Sequence, residues 1–203
     1  DETSRHFQKL QLDMSSLTPE ATTLHLQGVL GGGIFTLRTE LSTYNNELQV
    51  KLAELDAVIE TANPAGGRQI AAQDFFLAPL TTALAADEIV VAVNLPGLPD
   101  GAGWGFEEFA QRRGDFAVAG AAAVVVMDGD RVTEARISLM GVHDTPLRAS
   151  AGERALIAGG IDAAAAAARR EVEPMNDLHG SADYRRHLVE ALTRRALRAA
   201  IEM

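Results

Sequence analysis

Gly31, Gly32 and Gly33 stand in succession, and their type and spacing could do chemistry. Consecutive glycines reach backbone conformations closed to other residues and expose amide N–H groups with no Cβ in the way. Such a bend can cradle phosphate oxygens. It can equally be a tight turn or a bulge. Leu24, Leu26 and Val29 alternate before it as in a short strand, and Ile34, Phe35 and Leu37 follow it. No G-x-G-x-x-G or Walker pattern surrounds the bend, so neither a dinucleotide fingerprint nor a P-loop is supported. The other candidates are thinner. His6, His25, His143, His179 and His187 are scattered, with no pair at metal-ligand spacing. His143-Asp144 is a local donor–acceptor pair of a kind more often structural than catalytic. Glu107-Glu108 and Glu171/Glu173 are paired carboxylates, a common surface feature, and define no positioned acid–base system. The chain has no cysteine, which excludes disulfides, iron–sulfur ligation and a thiolate nucleophile within it. No serine-hydrolase elbow is present.

The elements that must position these residues fit one ordinary domain, or two small ones sharing an interface, in 203 residues. With 47% hydrophobic and 23% charged residues the chain can bury enough apolar surface to fold. A net charge of -10 repels phosphate backbones, which argues against nucleic-acid binding. No apolar run is long enough for a transmembrane span, and the first residues carry no signal-peptide core. The spacing of Leu48, Leu52, Leu55 and Ile59 predicts a helix over Glu47–Glu60, stopped by Asn63-Pro64 and Gly66-Gly67. Arg68–Ile70 reads as a brief strand, and Ala72–Ala86 as two short helical pieces meeting near Pro79. Asp87–Leu95 is the clearest strand, with Ile89, Val91 and Val93 on one face and Val90, Ala92 and Asn94 on the other. Pro96–Gly105 is the expected crossing between two units.

The second half reads as a compact α+β unit. Gly105–Gln111 forms a strand with Phe106 and Phe109 buried. Phe116–Met127 starts as a helix and becomes a central strand from Ala122. Asp128-Gly129-Asp130 turns it into a hairpin that ends at Val142. These strands close as a three-stranded antiparallel sheet, which needs a helical cover. A helix over Gly152–Ala158, ended by Gly159-Gly160, a second capped by Asp162, and a third over Ala182–Ile201 capped by Ser181 supply it. On the last helix Tyr184, Leu188, Leu192 and Ala199 share a face. Arg185, Arg186, Arg194, Arg195 and Arg198 make the remainder a basic stripe, suited to solvent, to internal ion pairs or to a partner subunit.

Seven stretches in order carry a family resemblance: VLGGGI (Val29–Ile34), LAELDAVI (Leu52–Ile59), GGRQIAAQDFF (Gly66–Phe76), TALAADEIVVAVNLP (Thr82–Pro96), EEFAQRRGDFAVAGAAA (Glu107–Ala123), ARISLMGVHDTPLRA (Ala135–Ala149) and HGSADYRRHLVEALTRRAL (His179–Leu197). The chain resembles the medium, FAD-binding subunit of the molybdenum hydroxylases, which include carbon monoxide and xanthine dehydrogenases. The resemblance runs from Leu24 to Met203. It implies an α+β chain in three parts. Residues 1–23 are an irregular segment standing where the family has a first FAD subdomain. Residues 24–100 are the distal part of the FAD-binding domain. Residues 101–203 are the family's C-terminal domain, a three-stranded antiparallel sheet with a helical bundle.

The same resemblance implies the site. Gly31, Gly32, Gly33 and Ile34 match the second glycine-rich FAD segment, whose backbone meets the pyrophosphate. Glu47 stands where the family has an aspartate, after a loop, Phe35–Asn46, that is longer than the family's and lacks its Asp-Pro element. Arg68 and Ile70 match a stretch that approaches the isoalloxazine edge. Thr81 lies in the segment after the Phe-Phe pair, where the family's usual glycine is replaced. Arg113 and Asp115 match a signature of the C-terminal domain. The implied function is FAD-binding electron transfer within a cytoplasmic complex. A large subunit would carry the molybdenum cofactor and a small one the [2Fe-2S] clusters. The alternative is a non-catalytic assembly or scaffold subunit without flavin.

Overall fold

The computed structural model describes residues 22–25, 56–78, 81–112 and 116–203. The bend at Gly31–Ile34, Glu47, Arg113 and Asp115 lie outside the described residues. Two antiparallel sheets organise the rest.

The first sheet contains β1 (Thr22–His25), β2 (Val58–Asn63), β3 (Gly66–Ala71) and β6 (Ile89–Leu95) in the order β1-β6-β2-β3. Asp56, at φ +53°, turns the chain into β2. The expected helix over Glu47–Glu60 therefore fails at its described end, because Val58–Glu60 are strand. β-Branched Val58, Ile59 and Thr61 suit a pleated surface. β2 is also paired on both sides, with Ile59 opposite both Ile70 and Val93. The Asn63–Gly66 segment, read as a helix stop, is the turn of the β2–β3 hairpin. Gly67 lies against that hairpin so closely that a Cβ would stand 2.6 Å from the Thr61 carbonyl oxygen. β6 departs from simple alternation. Glu60 pairs with Ala92 and Thr61 with Val90, so Val91 is an extra, bulged residue. The bulge resets the phase, and Val90, Val93 and Leu95 all reach one core.

The two helical pieces expected over Ala72–Ala86 reduce to a four-residue helix, α1 (Ala72–Phe75), followed by a two-stranded ribbon, β4 (Phe76–Ala78) and β5 (Thr81–Thr82). The reason is packing. Phe75 and Phe76 are both buried and meet edge-to-face, at a centroid distance of 5.1 Å. Consecutive rings entering one core cannot lie on one helix face. In the ribbon Phe76 pairs with Thr82 and Ala78 with Thr81, which leaves Leu77 bulged and exposed.

The second sheet has the order β10-β9-β8-β7, from β7 (Ala102–Phe109), β8 (Ala119–Asp128), β9 (Arg131–Met140) and β10 (Leu147–Arg148). The expected three-stranded sheet is present, extended at one edge by the two-residue β10. The expected turn at Asp128-Gly129-Asp130 joins β8 to β9, with Gly129 at φ +59°. Phe116–Val118, expected to begin a helix, are not helical, and Val118 N–H donates to the Phe109 carbonyl at 2.7 Å.

Helices α2 (Ser150–Glu171) and α3 (Ala182–Ile201) cover one face. Gly160, at φ +80°, breaks α2 where Gly159-Gly160 predicted an end. Ser181 Oγ accepts from Tyr184 N–H, the expected cap. The cover is tight because β7 puts glycine beneath α3. A Cβ on Gly103 or Gly105 would collide with the carbonyl oxygens of Ala200 and Ala196. Phe109 is therefore not a core residue. It sits at the strand end, exposed, with its ring edge-on to Tyr184. Phe106, half-buried, faces away from α3 beside Ala117, Ala122 and Met140.

The two sheets share apolar contacts. Val124 of β8, with Ala102 and Trp104 of β7, packs into the core of the first sheet. An ionic junction adds to this. Asp56 accepts from Arg148 Nη1 at 3.0 Å and lies 3.6 Å from Arg136 Nη1, and Arg148 pairs with Glu153.

Candidate functional site

Of the site residues named from the sequence, Arg68, Ile70 and Thr81 are described. Arg68 and Ile70 lie on β3, which among the described residues pairs on one side only. Two residues apart on one strand, their side chains share a face of the sheet, yet their surroundings differ. Ile70 is buried in the first core opposite Ile59, so its side chain is committed to packing and only its backbone is available to a ligand. Thr81 is exposed on the ribbon. Arg68 is half exposed and is held by a partner the sequence did not single out, Glu88.

Glu88 stands immediately before β6 and is only 6% exposed. Its Oε1 accepts from Arg68 Nε at 2.6 Å and from Thr61 Oγ1 at 3.1 Å. Its Oε2 accepts from Arg68 Nη2 at 2.7 Å and from Ala85 N–H at 2.8 Å. A buried carboxylate is tolerated when a cation and N–H donors fill its lone pairs. The Arg68 guanidinium, helped by Ala85 N–H, lowers the Glu88 carboxyl to about 2, and Glu88 in turn raises the guanidinium. Arg68 Nη2 also donates to the Ala83 carbonyl at 2.7 Å. Two nitrogens of the fork are thus engaged within the fold, and Arg68 faces outward mainly through its Nη1 edge.

A second arginine was misplaced by pattern. Arg185, expected on the basic stripe of α3, is buried. Its Nη1 donates to the carbonyls of Val118 at 2.6 Å and Gly141 at 2.7 Å, and its Nη2 pairs with Asp177. That guanidinium, with the N–H groups of His179 and Gly180, lowers the Asp177 carboxyl. The spacing Arg185, Val189, Leu192, Ala196 is a helical face, and it is the buried one. Tyr184 and Ala199, expected to be inward, are exposed. The rest of the stripe is largely paired within the chain: Arg186 with Asp183, Arg194 with Asp162 and Glu190, and Arg195 with Glu107. Among the described residues no group of three or more His, Asp or Glu could hold a metal ion. No helix there is long and apolar enough to cross a membrane.

This arrangement, a small sheet with an exposed ribbon joined to a helix-covered sheet, defines an α+β fold of two units. Two family models divide the chain. The FAD binding domain in molybdopterin dehydrogenase matches residues 21–98, and the CO dehydrogenase flavoprotein C-terminal domain matches residues 104–200. The chain belongs to the family of molybdenum hydroxylase medium subunits.

Similar proteins include the alpha subunit of the 6-hydroxypseudooxynicotine dehydrogenase complex of Paenarthrobacter nicotinovorans. It is 35% identical over 161 residues, which cover 76% of this chain and 54% of the relative. The carbon monoxide dehydrogenase medium chain of Hydrogenophaga pseudoflava is 37% identical over 142 residues, 68% of this chain and 50% of the relative. Among solved structures, CO dehydrogenase from Oligotropha carboxidovorans superimposes with a TM-score of 0.75 at 30% identity, covering 81% of this chain and 59% of that one. Quinoline 2-oxidoreductase from Pseudomonas putida 86 gives 0.75 at 32%, with the same coverage. The chain spans about half the length of the curated relatives it matches.

Proposed function

We propose that this chain holds FAD and passes electrons through it within a molybdenum hydroxylase-type complex. The match of residues 21–98 to the FAD binding domain in molybdopterin dehydrogenase carries the reading. The described residues fit one wall of such a site. At the edge of β3 the Arg68 guanidinium is half exposed, and on the ribbon Leu77 and Thr81 are exposed. Cation and hydroxyl donors suit the carbonyl and phosphate oxygens of FAD, and an apolar surface suits its ring. Gly31, Gly32, Gly33 and Ile34 would hold the pyrophosphate with backbone amides, and Glu47 the adjoining polar arm. Ile70 would contribute backbone only. Bound FAD supplies one- and two-electron redox chemistry, and the protein supplies position and electrostatics.

Electrons would arrive from iron–sulfur clusters on a small subunit, themselves fed by a molybdenum cofactor on a large subunit, in a cytoplasmic complex. The parts at 24–100 and 101–203 would act as flavin-holding domain and supporting domain. Titration of the full chain with FAD, followed by flavin fluorescence and visible absorption, tests this reading alone and with co-purifying subunits. Saturable binding supports it. A complex that turns over without flavin leaves the chain as an assembly subunit.

A further inference from the structure

Among the described residues of the first unit Glu88 is the buried carboxylate, and neither the family match nor the expected site gives it a task. Its four hydrogen bonds join four segments: Thr61 of β2, Arg68 of β3, Ala85 after the ribbon, and Glu88 itself at the head of β6. The ribbon enters the fold through Phe75 and Phe76, both buried. It leaves through Ala83, whose N–H donates to the Phe75 carbonyl at 2.8 Å and whose carbonyl takes Arg68 Nη2. Both ends of β4–β5 are therefore fixed, one by apolar burial and one by the Arg68–Glu88 fork. Between them stand Leu77, bulged and 57% exposed, and Thr81. A bulge re-aims a side chain. Exposing a leucine on an otherwise anchored ribbon suits a surface that meets something else.

We propose that Glu88 is a positioning residue for the flavin. Acting through Arg68, it sets where the ribbon presents Leu77 and Thr81 to the isoalloxazine side of the site. The proposal rests on the flavin-holding function above. It gives Arg68, beside its outward-facing edge, the task of linking Glu88 to the ribbon. The fork geometry matters and not the charge alone, because Nε and Nη2 reach the two carboxylate oxygens separately while Nη2 also reaches Ala83. An ammonium group cannot reproduce that pattern.

The test uses Glu88→Gln and Arg68→Lys in the full chain and in the complex purified from its host. Backbone hydrogen exchange is read over residues 76–84, and flavin retention and midpoint potential are read in the complex. Both variants should speed exchange in the ribbon about tenfold or more, the scale of losing a charge-assisted bond, while β8 and β9 exchange as before. Both should release flavin more readily or shift its potential. Similar effects of the two variants indicate geometry, since Arg68→Lys retains the charge. Where either single variant fails to fold, the neutral pair Arg68→Gln with Glu88→Gln supplies the same readout. Variants that keep wild-type flavin affinity and potential overturn the positioning role and leave the flavin reading intact. A wild-type complex empty of flavin overturns the flavin reading, and this proposal with it.

Discussion

The two sheets use their buried charges in opposite ways. In the second unit, charged side chains close the fold upon itself. Arg185 fills two backbone carbonyls, and Glu153 takes the Ile137 N–H. Glu171, at the end of α2, takes the N–H groups of Ala151 and Gly152 at its start. Each satisfies backbone groups that the strand ladders and helix ends leave open. In the first unit the buried Glu88 also satisfies an N–H, but its main partner is a half-exposed arginine that anchors a projecting ribbon. The second unit is built as a support, and the first presents a surface.

The contrast can be broken most severely at the glycines beneath α3. Gly105→Ala pushes a methyl group into the Ala196 carbonyl, with backbone on both sides and nothing flexible to yield. A loss of roughly 3 kcal/mol or more is expected, by analogy with severe overpacking, and denaturant unfolding would measure it. Arg185→Met keeps much of the stem's volume but strips the Val118 and Gly141 carbonyls of their donors. About 2–4 kcal/mol should be lost, with faster hydrogen exchange around Val118 and Gly141. Glu171→Gln weakens the capping of α2 and should cost about 1 kcal/mol, read as a lower midpoint in thermal or urea unfolding.

Acid reaches both units, through Glu88 in the first and Asp177 in the second. Glu88 is held at about 2 against an ordinary 4.5, chiefly by Arg68. A lowered folded pKa adds stability above the unfolded pKa, and that stability is lost as pH falls through the folded value. The contribution should therefore be full above pH 4.5 and drain away toward pH 2. Glu88→Gln should flatten the pH dependence in that window, seen in unfolding curves taken at successive pH values. The smallest effect is expected at Arg195→Gln, an exposed pair with Glu107, where the change should stay within about 0.5 kcal/mol.

The sequence revealed most where one period dominated. The β8–β9 hairpin, the break at Gly159-Gly160 and the Ser181 cap follow from turn and cap chemistry that acts within a few residues. The failures have a common cause in tertiary pairing. Val58 and Ile59 fit a helical spacing, yet β3 and β6 pair with them on both sides. A bulge at Val91 cannot be seen in a strand whose two faces are both apolar. Arg185 was grouped by charge with a stripe left open to solvent, internal ion pairs or a partner, although its spacing with Val189, Leu192 and Ala196 places it inward. Of the candidate site, the Arg68 stretch was singled out through family motifs. Glu88 was not, because nothing local marks a carboxylate whose partners lie 20 and 27 residues away.

The decisive measurement is the visible absorption spectrum of the full chain in its purified complex, with flavin quantified against protein. A flavin band stoichiometric with the chain is predicted, and the Glu88→Gln complex should retain less of it or hold it at a shifted potential. A complex that transfers electrons with no flavin band contradicts the account.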